Sequence, residues 1–220
     1  MVTLKKKAPW PTRAVMEQIY RDKLWGDNGD SFYSGIGSHH PELVEPYIKA
    51  VSTFLTSFKI PLTVCDLGCG DFNIGKELVA FTDKYIAVDI VPELILNHKR
   101  KFKYSNVEFQ CLDIAKDNLP NADCAILRQV VQHLSNAEVK KITEKLYIYK
   151  YVLLTEHLPE GGYEPNSDII SGQGIRLKKH SGLDLLEAPF HLKVKGKNQL
   201  LSLDPLGHQG RIVTTLLQMF

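Results

Sequence analysis

Val64-Cys65-Asp66-Leu67-Gly68-Cys69-Gly70-Asp71 decides the reading of this chain. An apolar run, Leu62 to Leu67, has the length and composition of a buried strand and ends abruptly in Gly-x-Gly. Two glycines let the backbone turn sharply and let a ligand approach the main chain. A helical pattern follows, so the exposed amides at its start favour an electron-rich or anionic group. Further apolar runs repeat the theme: Tyr85 to Val88 ends at Asp89, Val107 to Leu112 ends at Asp113, and Ala122 to Leu127 and Tyr151 to Leu154 follow. Helical patterns at 73–82, 92–102 and 136–147 fill the gaps, the last opened by a Ser135/Glu138 capping box with Leu134 and Val139 as its staple. Continuous apolar strands separated by helices predict a parallel sheet covered on both faces.

Outward from this core the texture changes. Val15, Met16, Ile19, Tyr20 and Leu24 have helical spacing after Pro11, and a second helix follows Pro41 or Pro46, with Ile48, Val51, Leu55 and Phe58 on one face. Between them Gly26 to His40 is a polar loop long enough to be functional, with Gly35 and Gly37 as hinge positions and Tyr33 as an aromatic cover. After residue 157 a polar segment precedes two strands near 191–203 and 211–219, an antiparallel pair. The expected organisation is a helical, lid-bearing cap over 1–60 and an α/β core over 61–220.

Composition narrows the class. With 220 residues the chain is one domain with an appendage. Lys plus Arg is 27 against 25 Asp plus Glu, a net charge of +2, which does not favour a dedicated nucleic-acid binder. Hydrophobic residues at 44% and charged residues at 24% are globular values. No apolar stretch has the length of a membrane span. Lys5, Lys6 and Lys7 precede no apolar core of a secretory signal. Cys65, Cys69, Cys111 and Cys124 sit in or beside apolar runs without metal-site spacing, which suits buried residues of a reducing cytoplasm. His39-His40 has no third ligand at useful spacing, so no metal is expected.

Asp89 ends the second strand nineteen residues after Gly70, where a carboxylate takes both hydroxyls of a ribose. The dinucleotide fingerprint needs a third glycine at position 73, and Asn73 stands there. Asp66 and Asp71 beside the turn suit a cationic cofactor, such as one carrying a sulfonium and an ammonium, better than a pyrophosphate.

Asp66-Leu67-Gly68-Cys69-Gly70 resembles the first motif of the class I S-adenosylmethionine-dependent methyltransferases. The resemblance spans about residues 60–155. It implies a Rossmann-like, doubly wound, mostly parallel seven-stranded sheet with an antiparallel C-terminal hairpin. It also implies S-adenosylmethionine as cofactor and S-adenosylhomocysteine as product. By this resemblance Asp89-Ile90 grips the ribose, Asp113-Ile114 the adenine, and Arg128-Gln129 lines the transfer site at the end of the fourth strand. Trp25-Gly26, Tyr33 to Ser38, Asn166 to Ile169 and Pro189-Phe190 look like a poorly characterised bacterial subgroup.

Reacting groups in such a sheet lie beyond the strand carboxyl ends. His133, Glu156 and His157 are therefore the candidate bases, with Tyr33, Arg128 and Asn166 as candidate substrate contacts. His133 also reads as a histidine bonded to backbone at a helix start, and only one of the adjacent Glu156 and His157 is expected to face a pocket. The leading expectation is a cytoplasmic enzyme, monomer or homodimer, that methylates oxygen or nitrogen of a small molecule. The alternatives are an RNA or protein methyltransferase and a noncatalytic S-adenosylmethionine-binding protein.

Overall fold

The computed structural model describes residues 9–207 and 209–220, so the reading of Lys5 to Lys7 lies outside the described residues. Seven strands form one sheet: β1 (Thr63–Leu67), β2 (Lys84–Asp89), β3 (Val107–Cys111), β4 (Cys124–Arg128), β5 (Tyr151–Leu158), β6 (Gly196–Leu203) and β7 (Arg211–Gln218). Their order is β3-β2-β1-β4-β5-β7-β6. The first five run parallel, and β7 lies antiparallel between β5 and β6. Val64, Cys65 and Leu67 of β1 have no exposed surface, as a central strand covered on both faces requires. Chain order reverses between β1 and β4, so a crevice opens beyond the carboxyl ends of these two strands.

Among the described residues five α-helices accompany the sheet: α1 (Thr12–Arg21), α2 (Pro41–Thr56), α3 (Gly75–Leu78), α4 (Pro92–Lys101) and α5 (Asn136–Thr143). Helix α2 begins at Pro41, where a missing N–H costs nothing, and carries Pro46 inside it. Its buried stripe is Leu43, Tyr47, Val51 and Leu55, shifted one turn from the expected face. Helix α3 is shorter than the 73–82 pattern predicts. Phe72 adopts φ +64° and turns its ring inward against Tyr85, Phe102 and Phe109, so regular helix begins only at Gly75. A 3-10 turn at Val79–Phe81 completes that segment. Helix α5 ends at Thr143, and a 3-10 turn, Leu146–Ile148, follows it. Strand β6 starts at Gly196 and is bulged between Gln199 and Leu201. Among the described residues no helix is long and apolar enough to cross a membrane.

Candidate active site

A cavity of about 400 Å³ occupies the crevice beyond β1 and β4. Its floor is the turn after β1. Gly68 has φ +96°, and a Cβ there would stand 2.4 Å from Cγ2 of Val130, so both conformation and space demand glycine. The Gly68 and Cys69 N–H groups donate to the Val88 carbonyl, each at 2.8 Å, and pin the turn to β2. Gly70, at φ +54°, donates its N–H to Oδ2 of Asp89 at 3.1 Å, and Oδ1 of Asp89 accepts the Val91 N–H at 3.0 Å.

Three carboxylates line one side of this cavity: Asp66, Asp89 and Asp113. Asp66 is buried and accepts the Tyr85 hydroxyl at 2.9 Å. Burial pushes its carboxyl up to about 7, with the Tyr85 hydrogen bond opposing and the nearby Asp89 charge adding. Burial also raises Asp89, against the pull of the backbone N–H groups of Val91, Gly70 and Ile90. Asp113 accepts the Ala115 N–H at 3.1 Å and pairs with Lys116 at 2.8 Å. Ile90, Leu112, Ile114 and Ala115 make an apolar wall beside these acids.

Thr12, Met16 and Tyr20 of α1, with Trp25 and residues Ser34 to Ser38, form the remaining wall. Side chains from the core fasten this cover. Oδ2 of Asp71 accepts the Ser34 N–H at 2.7 Å and faces Nε2 of His39 at 2.6 Å. Ser34 Oγ accepts the Asp71 N–H at 2.8 Å and meets the Tyr20 hydroxyl at 3.1 Å. Asn73 donates to the Ser38 carbonyl at 2.7 Å. The Arg128 guanidinium donates to the Gly37 carbonyl and to Ser38 Oγ, and lies 4.7 Å over the Tyr47 ring.

The far end is lined by Gln129, Val130, Gln132, His133, Gln173 and Ile175. The Trp25 and His133 rings stand 5.3 Å apart. Burial drags the His133 imidazole down to about 4, so it is neutral at physiological pH.

Of the residues singled out from sequence, Asp66, Gly68, Cys69, Gly70, Asp89, Ile90, Asp113, Ile114, Arg128, Gln129 and His133 converge on this cavity. Five do not line it. Asp71, expected at the cofactor, spends its carboxylate on Ser34, His39 and the Asn73 N–H. Tyr33, expected as the cover, packs on the His39 ring at 4.5 Å and against Gly26. Asn166, expected in a substrate pocket, has its amide consumed by the backbone of Asp184 and Ala188. Glu156 is buried outside the cavity, its carboxyl pushed well up by burial. His157 faces the Gln209 carbonyl through Nε2 at 2.8 Å.

The Ser135/Glu138 pair also departs from expectation. Ser135 Oγ donates to the Glu138 carboxylate at 2.7 Å and caps no backbone N–H. Thr12 and Ser171 hydroxyls donate to the same carboxylate, which lines the cavity. Burial raises Glu138, but these three hydroxyls outweigh it and hold the carboxyl below its ordinary value. Glu138 was thus missed as a cavity residue. The local spacing of Glu138 signalled only a cap, and its partners on α1 and at Ser171 are remote in sequence.

Residues 64–149 match the family model described as methyltransferase domain. Human acetylserotonin O-methyltransferase is 30% identical over 99 residues, which is 42% of this chain and 29% of that protein. The chain therefore spans less than a third of the curated relative it matches. The crystal structure of that human enzyme with S-adenosylmethionine superposes with a TM-score of 0.58 at 19% identity, over 95% of this chain and 60% of that one. The N-methyltransferase NodS from Bradyrhizobium japonicum WM9, solved with S-adenosylhomocysteine, gives 0.64 at 12% identity, over 91% of this chain and 98% of that one. These structural likenesses establish the fold, including the antiparallel strand pair that closes the sheet. Residues 64–149 thus carry the match to a methyltransferase domain, on a seven-stranded sheet whose fold is shared with the N-methyltransferase NodS.

Proposed function

We propose that the chain is an enzyme that binds S-adenosylmethionine in this cavity and methylates an oxygen or nitrogen of a small molecule. The observation that carries the reading is the set of three acids, Asp66, Asp89 and Asp113, beside an apolar wall at the switch point. That donor set fits the cofactor. A carboxylate offers about four lone-pair sites, and Asp89 commits two to Gly70 and Val91, which leaves capacity for ribose hydroxyls. Ile90, Leu112, Ile114 and Ala115 suit a flat purine, with Asp113 at its amino edge. Asp66 and its neighbours favour a cation.

The bound cofactor supplies a methyl group already activated on a sulfonium. The residues of the chain then have two tasks: to hold an acceptor in line and to exclude water. Trp25, Ile36, His133 and Ile175 supply apolar and aromatic surface for a small acceptor. Arg128 holds the Gly37–Ser38 cover closed. Tyr20 and Ser34 join α1 to that cover. The human O-methyltransferase and the bacterial N-methyltransferase named above are consistent with an oxygen or nitrogen acceptor. The four unpaired cysteines support a cytoplasmic setting.

Metabolite profiling with a deuterated methyl donor tests the proposal. The expected outcome is labelled small-molecule product that depends on the protein. Label in RNA or protein alone would replace the acceptor class, and no label at all would leave a noncatalytic binder.

A further inference from the structure

Gln132 is buried between the end of β5 and the ring of His133. Its Oε1 accepts the His157 N–H at 3.0 Å, and its Nε2 stands 3.3 Å from Nε2 of His133. A backbone N–H only donates, so the amide oxygen must face it. The amide nitrogen also only donates, so the imidazole Nε2 facing it must be the acceptor, and the ring proton resides on Nδ1. Nδ1 is buried and makes no hydrogen bond, while the backbone around Gly172 to Gly174 favours a proton on the ring against the larger, opposing effect of burial. The Gly172 N–H returns a hydrogen bond to the His133 carbonyl at 2.9 Å. On the other side Arg176 donates to the carbonyls of Val131 and Gln132, each at 3.3 Å, which fixes the same segment and sets a cation nearby. Trp25 covers the ring.

We propose that Gln132 is a positioning residue that locks His133 as the Nδ1–H tautomer with its Nε2 lone pair occupied, so that His133 is an uncharged wall of the acceptor end and not a general base. This rests on reading the cavity as a methyl-transfer site. Asp66, Asp89 and Asp113 are taken by the cofactor in that reading, and two further ionisable groups of the cavity are committed within the chain. Arg128 is bound to Gly37 and Ser38, and Glu138 to three hydroxyls. The acceptor class that fits is therefore a nucleophile with its lone pair already available at neutral pH: a neutral amine, an aromatic ring nitrogen or an oxygen acid that is already ionised. Any proton such an acceptor must shed goes to solvent.

Long-range proton–nitrogen correlation spectra of the full chain labelled with ¹⁵N-histidine test this without an acceptor. The expected result is His133 as a single neutral Nδ1–H form from about pH 5 to about pH 8. In Gln132→Glu the carboxylate, which only accepts, moves the ring proton to Nε2. An Nε2–H form in the wild type, a His133 titration near its ordinary value, or an unshifted tautomer in a folded Gln132→Glu would overturn the proposal. The wild-type spectrum decides by itself if that variant does not fold. Titration of the wild type with S-adenosylhomocysteine judges the methyl-transfer reading separately: no binding removes that reading while the tautomer stands or falls on the spectra.

Discussion

Asp71 and His39 meet at 2.6 Å across the edge of the cavity, Oδ2 to Nε2, and this contact fastens the loop before α2 to the turn after β1. The same oxygen accepts the Ser34 N–H, so one carboxylate holds both ends of the segment that covers the cavity.

Asp71→Ala therefore loosens the cover without removing a residue that lines the cavity. Loss of a carboxylate acceptor from these partners costs about 1–3 kcal/mol of closure. Hydrogen exchange of residues 33–40 is expected to accelerate, with faster release of S-adenosylhomocysteine. Unchanged exchange would contradict the latch.

Asp66 predicts a pH dependence. Its carboxyl titrates at about 7 in the folded chain, against an ordinary value of about 3.9. The folded state without ligand thus gains from this group at low pH, fully below the ordinary value, and loses that gain as pH rises through about 7. A cation bound beside Asp66 has the opposite demand, because it needs the carboxylate. Affinity for S-adenosylmethionine is expected to fall as pH drops through about 7, and Asp66→Asn to flatten that profile. Calorimetric titration across this range checks both, and a wild-type profile as flat as that of the variant contradicts the assignment.

Gly68→Ala meets two obstacles at once, a φ of +96° and a contact of 2.4 Å with Val130. The expected loss is about 1–3 kcal/mol. Thermal denaturation reads it, and an unchanged midpoint would mean that the turn relaxes at no cost.

Arg176 is 2% exposed, and its guanidinium reaches the carbonyls of Ser167, Val131, Gln132 and Leu134 and Oδ1 of Asn136. A lysine ammonium has three donors from one point and cannot reproduce that fork. Arg176→Lys is expected to cost about 3 kcal/mol or more in denaturant unfolding. A cost within about 0.5 kcal/mol would contradict the role of Arg176 as the brace of residues 131–136.

The parts of this molecule that were legible in the sequence depend on local pattern. The buried strands β1 and β2 announce themselves, because a fully covered strand is continuously apolar and the acids Asp66 and Asp89 near their ends interrupt it. The Gly68 turn is legible for the same reason. What was misread depends on partners distant in the chain. Ser135 and Glu138 have the spacing of a capping box, yet Thr12 and Ser171 redirect the glutamate. Asp71 sits among cavity residues in sequence but turns to a loop more than thirty residues earlier. Asn166 serves as the staple of an irregular segment, a role that no periodicity marks. Met16 and Tyr20, which line the cavity, read only as one face of a helix, because what that face covers is set by tertiary packing.

Calorimetric titration with S-adenosylmethionine, on the wild type and on Asp89→Ala, tests the central claim most directly. The account predicts saturable binding to one site in the wild type. Loss of the carboxylate proposed to hold the ribose should weaken it by about tenfold or more, since hydrogen bonds to a charged group contribute about 1.5–3 kcal/mol. Absence of binding in the wild type, or equal affinity in a folded Asp89→Ala, would contradict it.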